Sequence, residues 1–332
     1  MKRFDAAVVG AGPAGTACAG ELMRLGVDTV ILDREEFPRD KLCAGWITPE
    51  VMDDLGVAFR DYPGQITRFS RMYFHLYGIS LPVKTRQYAI RRQEFDHWLL
   101  TGVKAPFYRH KVSRIKVKNG RYLIDGRFSI GYLVGAGGTN CPVYRQLFRA
   151  STPRLKKHLV VTMEKEYQTR FFEKNCHLWF FDNHLPGYAW YLPKAKGYLT
   201  MGIGGRGLVL DKRGETIHDH FASFADKIEK KGWIRSRPSK AKGYAYYLRD
   251  PEIQPQYQNA FLAGDAAGLA TRDMGEGIGP AVKSGLLAAR SIAWNRPYCL
   301  ESVQRFSLPR LLLQRFPPMM HPHHKKSNQC PC

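Results

Sequence analysis

The sequence predicts an α/β fold in which a Rossmann-like domain is interrupted by an α+β domain with an antiparallel sheet. One glycine-rich turn lies between a strand and a helix near the N-terminus, and a second one precedes a long helix near residue 278. The segments between the two turns alternate like half-buried strands. The 332 residues, 44% of them hydrophobic, suffice for one large domain or two ordinary ones.

The first glycine-rich turn has the spacing of a dinucleotide site. Residues 4–9, FDAAVV, predict a buried strand, after which Gly10, Gly12 and Gly15 stand in G-x-G-x-x-G spacing before a helix. The first glycine permits the tight turn, the second lets a pyrophosphate approach the backbone, and the third allows close packing of helix on strand. The next strand ends at Asp33, which is placed to accept hydrogen bonds from a ribose. This turn alone does not separate FAD from NAD.

The second glycine-rich turn favours FAD. A short strand ends at Gly264 and Asp265, and a loop then opens into a helix at Gly277 and Ile278. Asp265 would accept from a sugar-like hydroxyl chain, and the helix N-terminus would favour the anionic reduced flavin ring. Small side chains line one side of this helix, so we expect that side to pack closely on the sheet. They are Ala281, Ser284, Gly285, Ala288 and Ala289.

The segments between the turns predict the antiparallel sheet. QITRFSRMYFHLY and ISLPVKTRQYAI are expected to pair around Gly78, and HLVVTMEKEYQT and CHLWFFD follow as strands. A helical segment, GETIHDHFASFADKIEKK, carries an apolar face that we expect to pack on this sheet. That face consists of Ile217, Phe221, Phe224, Ala225 and Ile228.

A stretch of aromatic residues followed by glycines lies in the same region. Tyr188 and Trp190 are two residues apart in YAWYLP, so on a strand both rings point to one face. Gly202, Gly204 and Gly205 leave a bare backbone nearby. This surface suits a flat or long ligand, although a core strand beside a bulge gives the same pattern.

These motifs, taken together, resemble the geranylgeranyl reductases, an FAD-dependent oxidoreductase family of the p-hydroxybenzoate hydroxylase fold group. The resemblance covers residues 1 to about 295. It implies an interrupted layout, with residues 1–62, 91–153 and 254–296 in the FAD-binding domain, 63–90 and 154–253 in the substrate-binding domain, and 297–332 in a partly disordered C-terminal tail.

The resemblance implies which residues surround the flavin. KLCAGWITP resembles the family's Cys-Gly-Gly loop beside the ring, and RRQEFDHWL resembles an Arg-x-x-Phe-Asp helix start that puts Arg92 at the pyrophosphate and Phe95 in the core. The expected cofactor-binding residues are Gly10, Gly12, Pro13, Ala14, Gly15, Asp33, Arg34, Cys43, Ala44, Gly45, Arg92, Gly264, Asp265, Gly275, Gly277 and Ile278.

In that family the aromatic strand walls an isoprenoid pocket as Tyr-x-Trp-x-Phe-Pro-Lys followed by Gly-x-Gly. The pocket residues that this implies are Tyr188, Trp190, Leu192, Pro193, Gly202 and Gly204, with Leu192 in the place of the Phe. The candidate catalytic residues are Cys43, Tyr188 and Trp190. A bound water is an alternative proton donor, and Cys43 as an inert buried thiol is an alternative to a catalytic one. Lys194 is either a contact for a phosphate headgroup or a solvated side chain.

Two departures from the family pattern bear on function. Gly137 stands where the second FAD motif usually has Asp, which weakens the case for direct reduction by NADPH. Ala44 replaces a glycine beside the ring and narrows the backbone freedom there. The external electron donor is therefore left open between NAD(P)H and a ferredoxin, the latter an electron-donor protein.

The charge balance predicts anionic partners. Lys and Arg number 51 against 29 Asp and Glu, for a net charge of +22. No nucleic-acid-binding motif accompanies this charge, so nucleic acid is not an expected partner. Seven irregularly spaced cysteines favour a reducing compartment, and the expected location is cytoplasmic, with membrane association left open.

The C-terminal segment from Phe306 mixes leucines and phenylalanines with Arg310 and Arg315. Peripheral membrane contact and docking on the protein body both fit this composition. The terminal set His321, His323, His324, Cys330 and Cys332 matches no established zinc spacing, so no metal site is expected.

The leading functional hypothesis is an FAD-dependent oxidoreductase that reduces carbon–carbon double bonds of a prenyl lipid or prenyl diphosphate by hydride transfer from flavin N5. An acid must supply a proton to the other alkene carbon. The alternatives are an FAD-dependent monooxygenase or a halogenase-like enzyme acting on a hydrophobic ring, and a flavoprotein that only carries electrons. The halogenase signature Trp-x-Trp-x-Ile-Pro resembles YAWYLP with Tyr188 and Leu192 as departures.

Overall fold

The structure is a computed structural model that describes residues 1–313. Its strands, in chain order, are β1 (Lys2–Val9), β2 (Thr29–Asp33), β3 (Trp46–Ile47), β4 (Ile66–Leu76), β5 (Ile79–Ile90), β6 (Phe107–Arg109), β7 (Ile115–Lys118), β8 (Arg121–Ile124), β9 (Phe128–Gly135), β10 (Leu159–Gln168), β11 (Cys176–Phe180), β12 (Gly187–Pro193), β13 (Tyr198–Arg206), β14 (Lys242–Tyr247), β15 (Gln256–Tyr257) and β16 (Ala260–Leu262). The α-helices are α1 (Pro13–Arg24), α2 (Pro49–Leu55), α3 (Arg92–Thr101), α4 (Gly207–Arg213), α5 (Ile217–Lys230), α6 (Ile278–Trp294) and α7 (Leu308–Leu313).

The first sheet confirms the Rossmann-like prediction. Its main order is β15-β16-β9-β1-β2-β6, and β1 pairs in parallel with both β2 and β9. Residues Ala6 to Val9 of β1 are all buried, as expected for a parallel strand covered on both faces. The carboxyl ends of β1, β2, β9 and β16 therefore lie along one edge of this sheet.

The second sheet has the order β14-β10-β13-β12-β11-β4-β5-β3. The predicted strand pair around Gly78 is confirmed as the β4–β5 hairpin. One feature differs from the expected antiparallel sheet, because β4 and β11 pair in parallel. A parallel pair needs a long crossover, and here the chain passes through the first sheet between these two strands.

Helix α5 covers one face of the second sheet, as predicted. Its N-cap is Thr216, whose side chain accepts a hydrogen bond from the backbone N–H of Asp219. Phe221, Phe224, Ala225 and Ile228 are buried against strand residues of β12 and β13, with Ile217 partly buried beside them.

The small side of α6, which was predicted to pack on the sheet, packs on α1 instead. A Cβ built on Gly285 would lie 2.2 Å from the carbonyl oxygen of Ala14, so this face presses on the backbone of α1. The backbone N–H of Gly264 donates to Ser284 Oγ at 2.9 Å, which ties the loop after β16 to the same helix. The three glycine-rich or small-residue elements thus form one packed unit.

Part of the C-terminal segment docks on the protein body. Leu311 of α7 is buried in a cluster that includes Trp190 and Met274. The backbone N–H groups of Ser307 and Leu308 donate to the carboxylate of Asp273. Arg315 and the His/Cys set at 321–332 lie outside the described residues.

The domain boundaries stay a prediction, and β3 pairs with β5 in the second sheet although residues 46–47 fall in the first predicted FAD segment. Within residues 1–313, no helix has both the length and the apolar character needed to cross a membrane.

We predict that Gly285→Ala lowers the free energy of unfolding by about 1–3 kcal/mol, because the added methyl group forces α6 away from α1. The same change should lower the fraction of protein that retains flavin. Urea denaturation and flavin absorbance after gel filtration measure the two effects.

Gly20→Ala is the matched control in α1. Its Cβ would meet the Val103 side chain at an ordinary 3.6 Å, so we expect a gain of about 0.5–1 kcal/mol from helix propensity alone. Equal changes of stability and of flavin retention in the two variants would contradict the close backbone contact between α1 and α6.

Candidate functional site

A cavity of about 750 Å³ opens where the carboxyl ends of the first sheet face the second sheet. Residues within three positions after the ends of β1, β9 and β16 line it, namely Gly10, Ala136 and Asp265. Ligands of open parallel sheets bind at this edge, and the volume is typical of a cofactor site.

The cavity brings most of the predicted site residues together. Those that line it are Gly10, Gly12, Pro13, Ala14, Asp33, Arg34, Cys43, Ala44, Arg92, Tyr188, Trp190, Leu192, Asp265, Gly275, Gly277 and Ile278. The others, which are not part of the lining, are Gly15, Gly45, Gly264, Pro193, Gly202 and Gly204. Their individual roles stay predictions.

The first glycine turn forms an anion-binding cradle. Gly10 has φ +114°, and a Cβ at Gly15 would lie 1.8 Å from the Gly10 carbonyl oxygen, so both positions require glycine. A Cβ at Gly12 would meet only Nη2 of Arg39, at 3.5 Å. No side chain caps α1 at Gly12, so the first amides of the helix are available to an anion beside the Arg39 guanidinium.

Arg39 was missed by the sequence reasoning, which assigned the pyrophosphate to Arg92. The Arg92 guanidinium is buried and donates two hydrogen bonds to Asp96, at 2.7 and 2.8 Å. Arg39 also contacts Asp96, at 3.4 Å, while lining the cavity. Nothing in the segment DREEFPRDK distinguishes Arg39 from Arg34 as an anion ligand, because the approach of Arg39 to Gly12 depends on the course of the loop.

Two carboxylates are held at strand ends. Asp33 Oδ2 accepts a hydrogen bond from the N–H of Ala11 at 2.6 Å, and Oδ1 accepts from the N–H of Glu35 at 2.9 Å. Asp265 Oδ1 lies 3.5 Å from the position of a Cβ on Gly277. The N-terminus of α6 is partly capped, because Glu276 Oε1 accepts a hydrogen bond from the backbone N–H of Gly279 at 2.6 Å, while Gly277 and Ile278 line the cavity.

The aromatic wall confirms that Tyr188 and Trp190 share one face. Trp190 of β12 stands opposite Gly202 of β13, and Tyr188 opposite Gly204. A Cβ on Gly202 would lie 2.3 Å from the Trp190 ring, so the glycine is what allows the indole to lie across the neighbouring strand. Gly202 therefore leaves the space that the Trp190 ring occupies.

The polar ends of the two rings differ. Tyr188 Oη donates to the carbonyl oxygen of Met274 at 2.5 Å, and burial raises the pKa of its hydroxyl well above the ordinary value. Trp190 Nε1 is buried and has no hydrogen-bond acceptor among residues 1–313.

Cys43 lies half-buried at the cavity in a tight turn. Its sulfur accepts from the N–H of Gly45 at 3.4 Å. Gly45 has φ +74°, and a Cβ there would lie 2.2 Å from the carbonyl oxygen of Ile90. The turn therefore fixes the position of the thiol at the wall of the cavity.

A pair of glutamates on β10 was also missed. Glu164 lines the cavity and is only 3% exposed, and it accepts no hydrogen bond from residues 1–313. Burial raises the pKa of Glu164 to about 7, against the attraction of Lys194, Lys41 and Arg92. The Glu164 carboxyl group is therefore protonated below about pH 7 and in part at neutral pH.

Glu166, two residues after Glu164 on the same strand, has a lowered pKa instead of a raised one. Burial acts to raise its pKa, but Lys194 and Arg91 outweigh this effect and hold its pKa below the ordinary value. Lys194 Nζ lies 2.6 Å from Oε2, and Arg91 Nε lies 2.9 Å from Oε1. Lys194 is itself buried, so of the two expectations for it the solvated side chain is wrong. In sequence, Glu164 and Glu166 occupy the polar face of an alternating strand, which usually indicates solvent exposure.

Comparisons with known proteins bear on the cofactor and the family. Residues 3–62 match the FAD binding domain family. An uncharacterized protein from Methanosarcina barkeri is 29% identical over 88% of this chain and 75% of its own. A menaquinone reductase from Mycolicibacterium smegmatis is 25% identical over 86% and 76%, and a geranylgeranyl diphosphate reductase from Rhodobacter capsulatus is 23% identical over 87% and 75%.

Solved structures share the fold. A geranylgeranyl bacteriochlorophyll reductase-like protein from Thermoplasma acidophilum superposes with a TM-score of 0.76 at 16% identity, over 95% of this chain and 84% of the other. A flavin-dependent brominase superposes with a TM-score of 0.70 at 17% identity, over 93% and 82%.

These findings confirm the resemblance to the geranylgeranyl reductase family, the predicted fold, and FAD as the cofactor of an oxidoreductase. The residues present fit FAD. The uncapped N-terminus of α1, the Arg39 guanidinium and the carboxylates of Asp33 and Asp265 supply the donors and acceptors that phosphates and hydroxyl groups require.

The raised pKa of Glu164 predicts a pH-dependent stability. The folded protein keeps a proton on Glu164 that the unfolded chain releases above about pH 4.5, so the free energy of unfolding should fall by about 3 kcal/mol as the pH rises from about 4.5 through 7. Glu164→Gln removes this loss. Calorimetry across the pH range should find the variant more stable than the unchanged protein at pH 8 and similar to it near pH 4.5.

Glu166→Gln is the contrasting control. Its folded-state pKa is lowered, so its contribution is present above the unfolded pKa and is lost as the pH falls. This variant should be less stable than the unchanged protein at neutral pH. Parallel pH profiles for the two variants would show that the two carboxyl groups do not differ in the folded state.

Proposed function

We propose that this protein uses FAD to reduce carbon–carbon double bonds of a prenyl lipid or prenyl diphosphate. The observation that carries the proposal is a single cavity with an aromatic and aliphatic wall on one side and the N-termini of α1, which is uncapped, and α6, which is partly capped by Glu276, on the other. A prenyl chain offers apolar surface and π-bonds, which ring faces bind with little loss of conformational entropy.

The names of two relatives support a substrate of this kind, since one is a geranylgeranyl diphosphate reductase and the other a menaquinone reductase. Both matches extend over more than four fifths of this chain. The substrate of this chain remains our proposal.

In this proposal, Gly12 and Arg39 hold the pyrophosphate of FAD, Asp33 holds its adenosine ribose, and Asp265 holds its ribityl chain. The N-terminus of α6 at Ile278 stabilises negative charge on the reduced ring. When bound and reduced, FAD supplies the hydride equivalent for one alkene carbon.

Glu164 supplies the proton for the other alkene carbon. The cavity exposes its carboxyl group next to the aromatic wall, and its pKa of about 7 keeps it protonated in part at neutral pH. Tyr188 is a poorer donor, because its hydroxyl group already donates to Met274 and its pKa is raised. Trp190 and Tyr188 then position the chain and exclude water, while Glu166 and Lys194 form a neutral pair beside the acid.

The direct test is anaerobic. Chemically reduced, flavin-loaded protein is incubated with geranylgeranyl lipids or geranylgeranyl diphosphate, and mass spectrometry should find products heavier by pairs of hydrogens. A requirement for oxygen, with an oxygen atom or halogen in the product, would replace this proposal with the monooxygenase or halogenase-like one. Colourless protein that cannot be reconstituted would contradict both.

Trp190→Ala should lower the rate of prenyl reduction at least about tenfold, since it removes most of the aromatic wall that positions the chain. The flavin should stay bound, as judged by its absorbance after gel filtration. Trp294→Ala, at an exposed tryptophan at the end of α6, is the matched control. Loss of flavin from the Trp190 variant would assign this strand to cofactor binding.

Glu164→Gln should lower the rate of product formation by about 10²–10⁴-fold, because the amide cannot donate an acidic proton. Its rate of flavin reduction by dithionite should not change. Glu164→Asp should recover part of the activity with a shifted pH profile. If Glu164→Gln keeps full activity, a bound water or Cys43 becomes the proton donor.

A further inference from the structure

An apolar surface runs from the cavity to the tip of the β4–β5 hairpin. Two rows of side chains cross four neighbouring strands at paired positions of the sheet. One row is Trp190, Leu178, Phe74 and Leu81, and the next is Tyr188, Phe180, Leu76 and Ile79. Because directly paired residues share a face, these eight side chains form one continuous surface, called here the hairpin face.

The hairpin face is buried at one end and exposed at the other. Trp190, Leu178 and Tyr188 line the cavity. Phe74, Phe180, Tyr188 and Trp190 follow one another with ring centroids 5.3, 5.5 and 5.7 Å apart. Contact between successive rings thus extends from the cavity toward the tip.

The exposed end is unusually apolar for a surface. The exposed fractions are 82% for Tyr77, 62% for Ile79, 52% for Leu81, 51% for Phe181 and 36% for Leu76. Single exposed apolar residues need no explanation, but a contiguous group of this kind marks a contact site.

The conformation of the turn at the tip does not account for the tyrosine at its first position, Tyr77. Tyr77 and Gly78 both have positive φ, as a two-residue hairpin turn of type I′ requires. Asn, Asp or Gly suits the first of these positions, whereas a bulky aromatic residue is disfavoured there. An aromatic ring at this position therefore points to a contact outside the hairpin.

The charges around the tip have one sign. No Asp or Glu occurs between residues 62 and 93, while Arg68, Arg71, Lys84 and Arg86 are all exposed on the hairpin. Arg71 and Lys84 form a cross-strand pair about 17 Å from Leu76, at five residues of about 3.4 Å each. In the adjoining loop, Asp182 is paired with Lys227 at 2.6 Å.

We propose that the β4–β5 hairpin tip inserts into the surface of an anionic lipid bilayer, so that the hairpin face connects the acyl region with the cavity. The apolar tip enters the boundary between headgroups and acyl chains, and the basic pair lies at the level of the headgroups. The lipid-delivery part of this inference rests on the proposed function, whereas the membrane contact does not.

The test uses oxidised, flavin-loaded, full-length protein without reductant or prenyl substrate. Flotation with vesicles of phosphatidylcholine containing about 30% phosphatidylglycerol measures binding, and vesicles of phosphatidylcholine alone measure the contribution of headgroup charge. Hydrogen exchange of amides in residues 74–81, with and without vesicles, locates the contact.

The double change Ile79→Ser and Leu81→Ser should weaken vesicle binding by roughly 10- to 100-fold and keep the flavin bound. Arg71→Gln with Lys84→Gln should weaken binding to anionic vesicles and reduce its salt dependence. The matched control is Val117→Ser in the β7–β8 hairpin, which also carries lysines but presents Val117 as its exposed aliphatic residue. This control should bind as the unchanged protein does.

Three results would overturn the inference. They are unchanged binding of the double serine variant, an equal loss in the Val117 control, and a change of oligomeric state in the serine variant, which would mean that a second copy covers the tip. Exchange in residues 74–81 that vesicles do not slow would likewise place the contact elsewhere on the protein. The vesicle experiments measure no turnover. Their outcome therefore does not depend on whether the protein reduces prenyl substrates.

Discussion

The backbone contact between α1 and α6 is the constraint on which the site depends. Gly285 leaves no side chain between the two helices, and the Ala14 carbonyl oxygen occupies that space. Both helix N-termini consequently open into one cavity, together with the acids at the ends of β2 and β16. A single methyl group at this position would separate elements whose donors must converge on one cofactor.

The second sheet contributes an aromatic wall to the cavity, whereas the first sheet contributes polar groups. The aromatic wall places Trp190 and Tyr188 opposite glycines of the neighbouring strand, and the Trp190 ring occupies the space that Gly202 leaves open. On the adjacent strand, Glu164 is buried without a partner in the described part of the chain, whereas Glu166 is satisfied by Lys194 and Arg91. The pKa of Glu164 is thus raised and that of Glu166 lowered, although the two carboxyl groups are only two residues apart. Such a difference lets one carboxyl group act as a proton donor while its neighbour stays charged.

The sequence predicted what depends on local spacing. The turn at Gly10, the pairing around Gly78 and the buried face of α5 follow from periodicity and glycine placement. Residues brought in by the course of the chain were not predictable. Arg39 reaches Gly12 from an irregular loop, and Glu164 lies on a polar strand face that another part of the fold covers. The parallel pairing of β4 with β11 was missed for the same reason, since it joins strands far apart in sequence.

That pairing also affects how the protein is made. β11 begins at Cys176, 100 positions after the last residue of β4, Leu76. At a synthesis rate of about 5–20 residues per second, the hairpin leaves the ribosome roughly 5–20 s before its neighbouring strand exists. During that interval the β4 edge of the hairpin and its apolar face lack their native partner strand, and an unpaired strand edge of this kind is prone to misassembly.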